Sequence, residues 1–341
     1  MTVFPGVEWE RRDAGTAGFD PIRFSEIGLW LAEEASRRED SRYRVVIVRG
    51  GALVGEWNNG VAVNARLRLA SATKSIFACV LGIAVAEGTI PSPDALAIDF
   101  YPELVDVPEG SGPKEGRYAF PANREITLRH LICNVSGYMK PGEAPGRVFN
   151  YQTYGMNILT HAIAKSYGFY DSADPEDSAG LQPLIESRIG QAIGADWGYY
   201  RANFALPPAA RLGIFGYYDG VSSTAHDMAR LGWLWRNGGQ WGEQQVVPAD
   251  WVDECAAVAP DIQTNGPAEE WVYGHGFWTN AAGRLWPNLP TDSFAASGAG
   301  RQHIWVCPSL DAVVVQSPGL FEEQEELGEG LLGKVVAALQ A

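Results

Sequence analysis

Apolar and polar positions alternate or cycle differently in successive stretches of this chain. Residues 24–38 (FSEIGLWLAEEASRR) repeat apolar side chains at helical spacing, which predicts an amphipathic helix. The runs 43–49 (YRVVIVR) and 52–57 (ALVGEW), separated by Gly50-Gly51, predict two strands joined by a tight turn. From Ile76 to Ala86 the sequence IFACVLGIAVA has no polar face, so it reads as a helix buried on all sides and stopped near Gly88.

Between about residues 90 and 220 the chain is rich in Pro, Gly and Asp, with helical segments at 125–133 and 154–167. After it comes STAHDMARLGWLWRNGG, a helix with Ser223 or Thr224 placed to cap it and Gly238-Gly239 to end it. Strand patterns return at 271–279, 302–308 and 311–317, and residues 322–340 suggest a closing helix. The expected architecture is α/β (α+β), an antiparallel sheet flanked by helices. One lobe comprises residues 1–92 and 223–341, and an inserted, mostly helical lobe comprises residues 93–222.

Charge narrows the partners. With 26 Lys plus Arg against 41 Asp plus Glu, the net charge of -15 repels nucleic acid and anionic lipid. No apolar run reaches the roughly 20 residues that span a bilayer, and no basic-then-apolar leader opens the sequence. A cytoplasmic protein acting on a small molecule is expected, its oligomeric state being unreadable. Cys79, Cys133, Cys255 and Cys307 are scattered and expected to be buried thiols. The five histidines show no ligand spacing, so neither metal nor cofactor is expected.

Candidate chemistry starts at Ser71-Ala-Thr-Lys74, at the mouth of the apolar helix. Residues three apart share a helix face, so hydroxyl and amine can meet. A low-dielectric site lowers the lysine pKa toward that of a working base. The helix N-terminus offers the Ser71 backbone N–H to a developing oxyanion. The same spacing in Ser111-Gly-Pro-Lys114 lies in a Gly/Pro stretch, where no helix brings the two side chains together. Tyr151, ahead of the helix at 154–167, could relay a proton, with Tyr154 as a rival. Small residues at 295–300 lead into a strand against which a substrate could lie. No G-x-S-x-G elbow supports a Ser-His-Asp hydrolase.

Taken in order, Ser71-x-x-Lys74, Tyr151-Gln-Thr153 and Ala296-Ser297-Gly298 resemble the motifs of the penicillin-recognising serine hydrolases. That family includes class C β-lactamases, DD-peptidases, family VIII carboxylesterases and nylon-oligomer hydrolases. The stretches LRHLICNVSGY, PGRVFNY, GVSSTAHDMARLGWLWRNGG and YGHGFW are similar too, so the likeness spans about residues 40–320. It implies Ser71 as nucleophile, Lys74 as base, Tyr151 as proton relay and the Ala299 N–H as second oxyanion donor. It also implies substrate contacts at Thr153, Ser297 and Gly298.

Two positions depart from the pattern. Thr153 replaces an asparagine, and Ala296 replaces the lysine that attracts the β-lactam carboxylate; Arg301 is either a substitute charge or a surface arginine. The resemblance therefore points to a carboxylesterase or amidase of the nylon-oligomer hydrolase type, working through an acyl-enzyme on Ser71. The alternatives are a β-lactamase or D-stereospecific peptidase, an acyltransferase, and a catalytically silent binding module on the same fold.

Overall fold

The computed structural model describes residues 2–320 and 330–339. Its centre is a six-stranded antiparallel sheet made from both ends of the chain. The strands are β1 (Tyr43–Arg49), β2 (Ala52–Asn59), β8 (Trp278–Thr279), β9 (Phe294–Gly298), β10 (Gln302–Cys307) and β11 (Ala312–Gln316), in the order β2-β1-β11-β10-β9-β8. Ile47 sits opposite Val314, and Trp305 opposite Val314 on the other side, so the first strand pairs with the last.

The strand sequences explain why both faces are covered. Val46, Val48, Val313, Val315, Ile304 and Val306 point into one core, while Val45, Ile47, Val314, Trp305 and Cys307 point into another. The outer face is covered by helix α1 (Pro21–Ser36) and a terminal helix, Leu331–Leu339. Asp20 caps α1, its carboxylate accepting from the Ile22 and Arg23 N–H groups, and Pro21 supplies the fixed φ of a first helical residue. That cap starts the helix three residues before its apolar pattern does.

The inner face carries helix α2 (Thr73–Ala86) and helix α4 (Ala225–Arg236), the latter capped by Thr224 as expected. A Cβ at Gly232 would lie 2.5 Å from Val313 Cγ1, so glycine lets α4 rest directly on the sheet. Helix α3 (Tyr154–Ser166) packs behind α2, and one core runs continuously from Val46 through Ile76 and Phe77 to Leu131 and Ile163. All four cysteines are buried free thiols. Among the described residues no helix is long and apolar enough to cross a membrane.

One reading changes, and further strands appear. The segment 271–277 is not strand: Gly274 N–H donates to Phe277 O, and Gly274 and Gly276 press against the carbonyls of Cys255 and Lys74, folding it into a turn. Within residues 93–222 lie β4 (Gly198–Ala202) and most of β5 (Tyr218–Ser223), which with β3 (Leu67–Arg68) form a three-stranded sheet, β3-β5-β4. A short hairpin, β6 (Gln240–Trp241) and β7 (Gln244–Gln245), completes the strands. Of the expected closing helix, residues 322–329 and 340 lie outside the described residues.

Candidate active site

Ser71 lies in a single 3-10 turn, Ala70–Ala72, that leads into α2. The turn is tied down from both sides: Leu69 N–H donates to Val221 O at 2.8 Å, and Ala72 N–H to Leu69 O at 3.1 Å. Ala70 has φ +49°, a left-handed conformation that a residue with a Cβ seldom adopts. Such strain persists only where neighbouring structure enforces it.

Lys74 stands one helical turn further on. Its Nζ is 2.7 Å from Ser71 Oγ and 3.4 Å from Thr153 Oγ1, and the residue is 1% exposed. Burial lowers its pKa to about 7, because the charged form loses water and gains no carboxylate. The rings of Tyr151 and Tyr218 lie 4.8 and 5.5 Å from Nζ and partly offset that loss.

Tyr151 and Thr153 arrive on the loop before α3. Asn134 pins that loop: its carbonyl accepts from Asn150 N–H and its side-chain oxygen from Gln152 N–H, each at 2.9 Å. The Tyr151 ring stacks on Trp278, 5.4 Å between centroids, and meets Tyr273 edge-on. Burial raises its pKa, opposed by a side-chain hydrogen bond with Ser71. The rival Tyr154 turns inward to Phe215, and Ser111 Oγ donates to Pro108 O. Neither has a described contact with Ser71 or Lys74.

The third segment enters through its backbone. A Cβ at Gly298 would lie 2.0 Å from Leu69 O and 3.0 Å from Ser71 N, so only glycine lets β9 approach the Ala70–Ala72 turn this closely. The exposed Ala299 follows it. Ser297, one residue earlier, alternates to the other face, where its Oγ is 2.7 Å from His303 Nδ1. Burial lowers the His303 pKa to about 4, keeping that ring neutral. Arg301 pairs with Asp40 at 3.0 Å, a carboxylate that it shares with Arg42.

Residues 41–317 match the family described as Beta-lactamase. The chain belongs to the beta-lactamase family. Among its relatives is the 6-aminohexanoate-dimer hydrolase of Paenarthrobacter ureafaciens, 23% identical over 92% of this chain and 82% of the relative. A novel penicillin-binding protein homolog from Caulobacter crescentus superposes with TM-score 0.65, 15% identity and coverage of 94% and 99% of the two chains. EstCE1, a hydrolase with promiscuous acyltransferase activity, superposes with TM-score 0.63, 14% identity and coverage of 94% and 99%.

This beta-lactamase family member is a serine hydrolase with the β-lactamase/transpeptidase-like fold. Trp278, one of the aromatics crowded at 271–286 that the sequence offers as pocket wall or sheet core, stands behind Tyr151. One site feature escapes sequence reading. Tyr218, at the start of β5, meets both Ala70 and Lys74. Nothing local distinguishes Tyr218 from a core aromatic, since its two partners lie well over a hundred residues away in the chain.

Proposed function

We propose that this serine hydrolase cleaves an ester or amide bond of a small substrate through an acyl-enzyme on Ser71. The carrying observation is Lys74 Nζ at 2.7 Å from Ser71 Oγ, in a site where burial brings the lysine pKa to about 7. Neutral Lys74 takes the hydroxyl proton as Oγ adds to the carbonyl carbon. The Ser71 and Ala299 N–H groups face the developing oxyanion. Tyr151, its pKa raised by burial, relays that proton from Lys74 to the leaving alcohol or amine; water, giving a proton to the restored base, then adds to the acyl-enzyme and releases the acid as the proton returns to Ser71 Oγ.

Ala296, nearly fully buried at the position where β-lactamases carry a lysine, offers no cation to a β-lactam carboxylate. Linear esters and amides are therefore favoured over β-lactams. The relative that hydrolyses 6-aminohexanoate dimers supports an amide among the substrates. The test is turnover of p-nitrophenyl acetate and butyrate, with a fluorophosphonate to mark the nucleophile and nitrocefin for comparison. Turnover and labelling lost in Ser71→Ala and kept in Ser111→Ala are expected. Labelling at any other serine overturns the mechanism.

A further inference from the structure

The peptide between Ala70 and Ser71 carries two groups that face different ways. Its N–H is the Ser71 amide beside Gly298, and its carbonyl oxygen accepts from the Tyr218 hydroxyl at 2.7 Å. In a planar trans peptide the C=O and N–H point in opposite directions, so an anchor on the oxygen fixes where the N–H points. A hydrogen bond to that oxygen also polarises the peptide and strengthens the N–H as a donor.

The anchor is built rather than incidental. Tyr218 is 3% exposed, its ring edge-on to Phe77 of α2. Burial raises the pKa of Tyr200, on the neighbouring strand, and a backbone hydrogen bond with Ala70 opposes that rise. Tyr200 reaches there across Gly220, opposite it in the sheet, where a Cβ would lie 2.1 Å from Tyr200 Cζ. Two tyrosines of one small sheet thus grip the single left-handed residue that precedes the nucleophile.

We infer that Tyr218 is a positioning residue of the reaction, its hydroxyl aiming the Ser71 N–H into the oxyanion site while Tyr200 holds the far side of Ala70. The inference rests on the acyl-enzyme reading of Ser71. Tyr218→Phe keeps the ring beside Lys74 and removes the hydroxyl together with its side-chain hydrogen bond to Thr73, leaving Ala70 O only the Thr73 N–H. In the full chain with p-nitrophenyl butyrate, its kcat is expected to fall about 10- to 100-fold, less than for outright loss of an oxyanion donor. KM should stay within about twofold, because the anchor acts on the transition state. The pH midpoint of kcat/KM should not move, and the thermal midpoint should fall only modestly, by the loss of a single buried hydrogen bond.

A folded Tyr218→Phe with unchanged kcat overturns the inference, as does a loss confined to KM or accompanied by a shifted pH midpoint. Tyr200→Phe reads the same residue from the other side and decides the matter where Tyr218→Phe does not fold: a lowered kcat at constant KM supports the grip, and an unchanged kcat overturns it. Ser71→Ala separates the two levels. If it retains turnover, the acyl-enzyme reading fails. If it is inactive while both tyrosine variants match the parent protein, only the positioning role fails.

Discussion

Lys74 Nζ sits 2.7 Å from Ser71 Oγ with no carboxylate among its described partners, and the two residues share one turn at the mouth of α2. A buried ammonium without a counter-ion gives up its proton more easily, and the nearest group able to supply one afterwards is the serine hydroxyl. That arrangement supports the proposed roles of base and nucleophile.

The pH profile follows from that pKa. Below about pH 7 Lys74 is charged and cannot accept a proton; above it the amine is free. We expect kcat/KM to rise with pH through a midpoint near 7 and then level off. Lys74→Met should remove the limb together with about 10³-fold or more of the activity, the general-base share plus the lost nucleophile activation. A profile flat from pH 5 to 9 in the parent enzyme would exclude Lys74 as the base.

Tyr151→Phe keeps the stack on Trp278 and the ring beneath Lys74 while deleting the hydroxyl. Activity should drop about 10²- to 10⁴-fold, the range for losing a proton-transfer group. The loss should shrink for esters with good leaving groups, which need less protonation. Equal losses for p-nitrophenyl and ethyl esters would argue that the hydroxyl does something else.

Gly298→Ala places a methyl 2.0 Å from Leu69 O and 3.0 Å from Ser71 N. Both are backbone atoms of the nucleophile turn and cannot swing aside as a side chain would. The variant should lose about 1 to 3 kcal/mol of stability from overpacking, read by urea unfolding, together with most of its turnover. Retention of full activity would mean that β9 does not form the oxyanion wall.

Arg301→Ala addresses the cation beside the third segment. Because the guanidinium is paired with Asp40, KM for p-nitrophenyl esters with and without a distal carboxylate should stay within about twofold of the parent value. A selective rise in KM for the carboxylate-bearing ester would instead make Arg301 a substrate anchor.

Local pattern carried the strands far: the unbroken apolar runs in YRVVIVR and DAVVVQS suit strands buried on both faces, and β1 and β11 lie in the interior of the sheet. Ser71 and Lys74 were legible for the same reason, since helical spacing alone brings residues three apart together. The WVYGHGF part of 271–279 misled because its aromatic and β-branched residues mimic a strand, while Trp278–Thr279 do form one. Gly274 and Gly276 instead let the chain turn tightly against other backbone.

What the sequence determined by itself is therefore what neighbours along the chain determine: the main core helices, most strands of the large sheet, and the Ser71–Lys74 pair proposed as nucleophile and base. Tertiary structure decided the rest. It chose Tyr151 over Tyr154 beside Lys74, turned Ser297 to His303 and Arg301 to Asp40, and set the Tyr218 hydroxyl on the Ala70 carbonyl. Each of these depends on which faces of distant segments the packed core brings together, and spacing along the chain carries no trace of such contacts.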